Sequence, residues 1–214
     1  MIGDRGKQRT FGILLYPDVE AVECCGPYDI FAGARVDEEL RRESQSPIRV
    51  LLISNNREPV TSAGGMRILP DVDFATCPPL DVLLVPGGPG TRAVMNEQRY
   101  LDFIRKQAEQ VERIASIGTG SLVLGAAGLL NGLSATTHWR ARDFFRSKFP
   151  GTTLERDLRV VVDGQMMTSS SIYAGMEMSL MLVAHYYGEE VARNVAQHME
   201  YAYPEANNRR SRIN

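Results

Sequence analysis

The stretch Ile114–Leu130, IASIGTGSLVLGAAGLL, runs from a short apolar strand through a glycine turn into a helix with no polar face. Ile114–Ile117 reads as the strand, Gly118–Thr119–Gly120 as the turn and Ser121–Leu130 as the helix. A helix apolar all round belongs inside a domain, so this unit sits in the body of the chain and not at its surface. A sharp strand-to-helix turn of this kind is shaped like a nucleophile elbow, which projects its apex residue into a pocket. An apex residue with a Cβ is often held in a sparsely populated backbone conformation costing about 1–3 kcal/mol. Glycine removes most of that cost. Gly118 and Gly120 fit equally well as plain turn glycines.

Working outward, apolar runs alternate with helical stretches, the pattern of a parallel sheet covered on both faces. Phe11–Tyr16 (FGILLY), Ile48–Ser54 (IRVLLIS) and Asp81–Val85 (DVLLV) read as buried strands. Gly26–Ala34 reads as the first helix, and Pro59–Phe74, with Gly64–Gly65, as a hairpin excursion. Glu97–Val111 has helical spacing, with Leu101, Ile104 and Ala108 on one face. Thr136–His138 follows as a strand and Arg140–Lys148 as a helix. Val160–Met167, turning at Asp163–Gly164, reads as a hairpin, and Ile172–Tyr187 as a long Met-rich helix. The pattern predicts a single-domain, three-layer α/β/α sandwich with a mostly parallel sheet over residues 10–203. Residues 1–9 are expected to form a flexible N-terminus and 204–214 a C-terminal tail.

Composition limits the partners. The 214 residues are 43% hydrophobic and 23% charged, with a formal net charge of −2, which suits one compact domain with a substantial core. Lys and Arg are scattered, and the one basic run, Arg209–Arg210–Ser211–Arg212, reads as a solvated or frayed end. Nothing electrostatic argues for a nucleic acid or an anionic membrane. Residues 1–10 lack the apolar stretch of a signal peptide, and no apolar run reaches spanning length. The three cysteines, Cys24, Cys25 and Cys77, show neither CxxC nor zinc spacing. Adjacent cysteines rarely close a disulfide. The expectation is a cytoplasmic protein without metal or cofactor.

In an open α/β sheet, ligands sit beyond the carboxyl ends of the strands. Glu23–Cys24–Cys25–Gly26–Pro27, Pro86–Gly87–Gly88–Pro89–Gly90 and the Gly118 turn are the three such junctions. The glycine-rich second junction has free N–H groups suited to an oxyanion. It has neither the Gly-Lys-Ser/Thr of a phosphate loop nor dinucleotide spacing, and a plain turn fits it as well.

The block Ala115–Trp139, ASIGTGSLVLGAAGLLNGLSATTHW, resembles the elbow region of isonitrile hydratases in the ThiJ/PfpI superfamily. Cys77–Gly90, Phe103–Ala108, Glu23 with Gly26–Pro27, Ile172 with Ala174–Gly175, and Glu200–Tyr201 resemble the same branch. The resemblance implies the class I glutamine-amidotransferase-like, flavodoxin-like fold and a homodimer with its pocket near the subunit interface. The family's elbow reads Ser-Val-Cys-Thr-Gly, so its cysteine, the attacking thiolate, falls on Gly118.

The resemblance further places the pocket carboxylate on Glu23, where the hydratases carry aspartate, and the backbone oxyanion donors on Gly88 and Thr119. It matches His138 to a histidine beside the pocket, although a lone histidine beside a core strand reads as well as structural. Gly87, Ile172 and Tyr173 would line the pocket for a small, partly apolar ligand. Burial would raise the Glu23 pKa toward neutrality. Cys24 and Cys25 fall on the wrong junction to replace the missing thiol.

Two functions follow as expectations. One is a hydratase, lyase or cyclase working by acid–base chemistry at Glu23 without a covalent step. The other is a pseudoenzyme, or a Cys-to-Gly variant of a hydratase, that only binds ligand. Relatives fused to DNA-binding helices suggest a regulator, a reading set aside because the chain ends soon after the domain.

Overall fold

The computed structural model describes residues 7–203 together with the backbone of 211–212. In chain order the strands are β1 (Arg9–Leu14), β2 (Ile48–Ser54), β3 (Val60–Thr61), β4 (Arg67–Ile68), β5 (Val72–Asp73) and β6 (Val82–Val85). They continue with β7 (Arg113–Ile117), β8 (Ser134–Ala135), β9 (Thr153–Leu154), β10 (Val160–Asp163), β11 (Met166–Ser169) and β12 (Ser211–Arg212). The helices are α1 (Ala21–Gly33), α2 (Thr91–Val94), α3 (Gln98–Ala108), α4 (Gly120–Ala126), α5 (Arg142–Lys148), α6 (Ile172–Tyr187) and α7 (Glu189–His198).

Among the described residues the main sheet runs β12-β10-β11-β7-β6-β1-β2-β5. Its pairs are parallel except β10 against β11. Central strands such as β6, VLLV, are buried along their whole length, as strands covered on both faces must be. The core gathers Phe11, Ile13 and Leu14 of β1, Leu83 and Leu84 of β6, and Leu122–Leu124 of α4. The expected mostly parallel α/β sandwich is what forms.

Several local expectations are corrected. The first helix begins at Ala21, not Gly26, so Pro27 lies in its interior. Proline there removes the N–H that would bond to the Glu23 carbonyl. The helix tolerates this because Gly26 lets α1 close onto Met176 of α6, whose sulfur a Cβ would strike. Glu23, Cys24, Pro27, Ile30 and Phe31 form its buried stripe, so the carboxylate heads the core-facing side of the helix. Thr136–His138 is not a strand; the pairing falls on Ser134–Ala135, which joins β9 in a separate ribbon. The predicted hairpin forms between β3 and β4 only, and Val72–Asp73 instead extends the main sheet beside β2.

Of the segment expected to be flexible, residues 1–6 lie outside the described residues. Arg9 opens β1, buried, with its guanidinium 4.6 Å from the Tyr186 ring centroid. Of the expected tail, residues 204–210 and 213–214 lie outside the described residues, and the backbone of Ser211–Arg212 pairs with Val160–Val161. Among the described residues no helix is long and apolar enough to cross a membrane.

Candidate active site

Three connections leaving β1, β6 and β7 converge at the carboxyl edge of the sheet, where such folds bind ligands. The elbow forms where β7 ends at Ile117 and α4 begins at Gly120. Gly118 has φ +51°, the left-handed region in which a side chain is disfavoured. Its N–H donates to the Ser169 carbonyl at 2.8 Å. Its carbonyl accepts from Ser121 Oγ at 3.0 Å and Thr137 Oγ1 at 3.2 Å. Three buried hydroxyl-bearing residues therefore hold the apex peptide.

Glu23 points at that apex. It is only 6% exposed, and its Oε2 accepts the Gly87 N–H at 2.6 Å. Its Oε1 lies 3.1 Å from where a Cβ on Gly118 would stand. Burial pushes the carboxyl from its ordinary 4.5 up to about 7; the Gly87 N–H pulls the other way and the Glu20 charge adds to the rise. Desolvation wins because one amide dipole does not replace the water shell of a full charge.

The glycine-rich loop is held from beneath. Tyr16, fully buried, donates its hydroxyl to the Pro86 carbonyl and lies 3.1 Å from the Gly87 carbonyl oxygen. The Glu20 N–H also donates to the Gly87 carbonyl, at 2.9 Å. These bonds orient the Pro86–Gly87 segment so that the Gly87 N–H meets Glu23. Gly88 N–H donates to Thr119 Oγ1 at 3.0 Å. Of the two backbone donors expected for an oxyanion, this one is engaged by a side chain. The Thr119 amide nitrogen lies 2.8 Å from where a Gly87 Cβ would stand, so a bare glycine keeps that space open.

Among the described residues the remaining side-chain candidates, His138, Ile172 and Tyr173, make no hydrogen bond to Glu23 or Gly118. His138 caps a 3-10 turn at Trp139–Ala141, with its ring centroid 5.8 Å from that of Trp139. Burial, with Arg140 and Arg142 nearby, holds its pKa below the ordinary value. Among the described residues it makes no hydrogen bond to Glu23 or Gly118; the neighbouring Thr137 reaches the elbow instead. Ile172 and Tyr173 open α6 and are 36% and 68% exposed.

Cys24 lies on the buried side of α1, its sulfur 3.7 Å from the Glu20 carbonyl oxygen. Burial, with Cys25, Glu23 and Glu20 nearby, drives its thiol pKa well up, the opposite of an activated nucleophile. Among the described residues no group of three or more His, Cys, Asp or Glu could hold a metal ion. Tyr16, Ser121, Thr137 and Ser169 are the residues that sequence reasoning missed. Only Tyr16, closing the apolar run Phe11–Tyr16, and Ser121, opening an apolar helix, carry a local signal, a hydroxyl beside apolar residues.

The Glu23 shift has a consequence for stability. A carboxyl whose pKa is raised on folding favours the folded state below about pH 4.5 and loses that contribution as pH climbs to about 7. The loss amounts to about 3 kcal/mol as an upper figure. Denaturant unfolding of the wild type and Glu23→Gln, followed from about pH 4.5 to 8, should show the wild type falling relative to the variant by that order. Parallel curves would contradict the shift.

Comparison with known proteins agrees with the fold and shows the family. Residues 10–185 match the model of the DJ-1/PfpI family. The chain is 41% identical to the isonitrile hydratase of Pseudomonas putida over 89% of its own length and 78% of that protein's. It is 28% identical to the HTH-type transcriptional regulator GbdR of Pseudomonas aeruginosa over 81% of its own length, and spans 48% of that regulator. A crystal structure of a ThiJ/PfpI family protein from Pseudomonas syringae superposes with a TM-score of 0.80 at 31% identity, covering 94% of this chain and 76% of that one. With the family model spanning most of the sheet and both arms of the elbow, the chain belongs to the DJ-1/PfpI family.

Proposed function

We propose that this protein adds water to a small molecule by acid–base chemistry at Glu23, without a covalent intermediate. The observation that carries the reading is the Glu23 carboxyl, anchored by Gly87 N–H at 2.6 Å, with Oε1 3.1 Å from where a Cβ on Gly118 would stand. Residue 118 stands where the family resemblance places a thiolate, and glycine offers none. A carboxyl titrating near neutrality is half protonated, suited both to give a proton and to take one back. The Thr119 N–H supplies a dipole for charge developing on the substrate.

The hydratase relative suggests an isonitrile as the substrate class. Protonated Glu23 would give its proton to the terminal carbon lone pair. Water would then add to that carbon as the C≡N π pair moves to nitrogen, and the carboxylate would take the water proton. The resulting N-substituted formimidic acid tautomerises to the formamide; nothing is oxidised or reduced, and Glu23 ends as it began. Turnover of an alkyl isonitrile by the wild type, lowered about 10²–10⁴-fold in a folded Glu23→Gln variant, tests the reading. Equal rates in the two would refute it.

A second reading is a protein that binds ligand without turning it over, favoured by the engagement of Gly88 N–H with Thr119 Oγ1. Gly118→Cys discriminates: strong isonitrile hydration gained by that variant alone supports a disabled hydratase, and no gain supports a repurposed pocket. In either reading we propose a cytoplasmic homodimer. The exposed apolar side chains of Val22 on α1 and of Ile172 and Tyr173 on α6 support a subunit contact beside the pocket.

A further inference from the structure

We propose that Tyr16 is a positioning residue for Glu23, acting on the carboxyl through a single peptide unit; its consequence for turnover rests on the acid–base reading above. The peptide joining Pro86 to Gly87 carries a hydrogen bond on each side. Its carbonyl accepts from the Tyr16 hydroxyl, and its N–H donates to Glu23 Oε2 at 2.6 Å. The peptide is trans, so these two groups point in opposite directions. Phenol, peptide and carboxyl therefore stand in one chain of donors and acceptors.

Hydrogen bonds in such a chain polarise one another, each gaining about 10–30% in strength. A peptide whose carbonyl accepts a donor offers a stronger N–H on its other side. The Gly87 N–H favours the ionised carboxyl and so opposes the rise that burial imposes on Glu23. Tyr16 thereby acts on Glu23 from the far side of the peptide.

The surroundings hold that peptide in place. Tyr16 is fully buried. The elbow closes over the carbonyl, since a Cβ on Gly120 would stand 2.7 Å from the Pro86 oxygen. The Glu20 N–H fixes the next carbonyl, that of Gly87, at 2.9 Å. The titratable groups bearing on the chain are Glu20 and Cys24 of α1 and Tyr100 of α3. Burial raises the pKa of Tyr16, Cys24 and Tyr100 and keeps them neutral, so Glu20 is the neighbouring charge. Asp18, in the turn before α1, is exposed. The glycine loop and the Gly118 turn carry no titratable side chain, and α6 meets this end of α1 through Met176.

Tyr16→Phe tests this, because it removes the hydroxyl and keeps the ring against Tyr100, whose centroid lies 6.4 Å away. In a carbon-13 titration of the Glu23 carboxyl, the midpoint of the folded variant should lie above the wild type's by about 0.5 to 2 pH units. The larger figure corresponds to full loss of the Gly87 bond. The fall of kcat with pH should move up by the same amount. A merely structural role would lower rate or stability and leave the midpoint where it is. An unchanged or lowered midpoint overturns the proposal.

The two readings fail separately. A raised midpoint with a wild type no faster than Glu23→Gln leaves Tyr16 tuning the carboxyl and removes the acid–base chemistry. An unmoved midpoint, with turnover still dependent on Glu23, removes Tyr16 alone. The wild type supplies a second readout should Tyr16→Phe not fold. The Tyr16 ring carbon bearing the hydroxyl should shift with the Glu23 midpoint, although burial keeps the phenol itself from ionising in that range. The same carbon should not shift in Glu23→Gln. A flat signal in the wild type overturns the proposal.

Discussion

Replacing Glu23 by glutamine is expected to lower turnover by about 10²–10⁴-fold, the range that a positioned acid–base group supplies. Glutamine is nearly isosteric, and its side-chain carbonyl can still accept the Gly87 N–H that now bonds Oε2 at 2.6 Å. What disappears is the transferable proton on the oxygen facing Gly118. The fold should stand, because the variant buries an amide in place of a carboxyl that is itself neutral below about pH 7. The rate profile carries a second signature. The reaction opens with a protonated Glu23, so kcat of the wild type should decline as pH rises through about 7. The residual rate of the variant should show no such decline. A variant turning over like the wild type, or a wild-type profile flat across that range, would remove Glu23 from the chemistry.

Replacing Gly90 by alanine is expected to cost about 3 kcal/mol or more of stability, at the upper end of what overpacking does. Gly90 has φ −61° and ψ −18°, a conformation any residue adopts, so backbone preference plays no part. The cost comes from close approach alone. A Cβ there would overlap the Pro17 carbonyl oxygen and lie 3.0 Å from its carbon and 3.1 Å from Tyr16 Cδ2. Two of these are backbone atoms that cannot rotate away. The Gly90 N–H also donates to the Asp18 carbonyl at 3.1 Å, so the two loops would have to part along their whole seam.

That seam leads into α1, and moving it would displace Glu23. Whatever fraction folds should therefore be catalytically impaired as well. Gly33→Ala is the matched control, since a Cβ there meets nothing within 4 Å and should not destabilise. Denaturant unfolding of both variants checks the contrast. A loss below about 1 kcal/mol in Gly90→Ala would mean the loops are not locked as described.

Both effects arise at junctions that the amino-acid pattern reveals in part. The bounds of β2, Ile48–Ser54, and α6, Ile172–Tyr187, coincide residue for residue with the sequence expectation. Uninterrupted apolar runs closed by turn residues leave little choice of period. The elbow is legible for the same reason, an apolar strand meeting glycine and then an apolar helix. The start of α1 is not legible. Gly26–Pro27 looks like a helix entrance, and only the packing of Met176 against Gly26 shows why the helix runs through it.

Glu23 is legible as a candidate but not as a member of the buried stripe of α1, because a charged residue conceals the period to which it belongs. Helix α7, Glu189–His198, is hidden by its mostly polar sequence. The hydroxyls of Tyr16 and Thr137 and the carbonyl of Ser169 gain their roles from partners far away in sequence, and local pattern carries no such information. His138 stands at the N-cap of a 3-10 turn, while its neighbour Thr137 hydrogen-bonds the elbow, a contact that local pattern does not announce.

Everything chemical here follows from a carboxyl that folding has pushed toward neutrality beside a bare backbone apex. Carbon-13 NMR of glutamate side-chain carboxyls, with the Glu23 signal assigned by its loss in Glu23→Gln, reads that property without a substrate. The titration should show a midpoint at about 7. A midpoint at the ordinary value of 4.5 would mean that Glu23 is solvated and ionised at neutral pH, and the acid–base account would be contradicted.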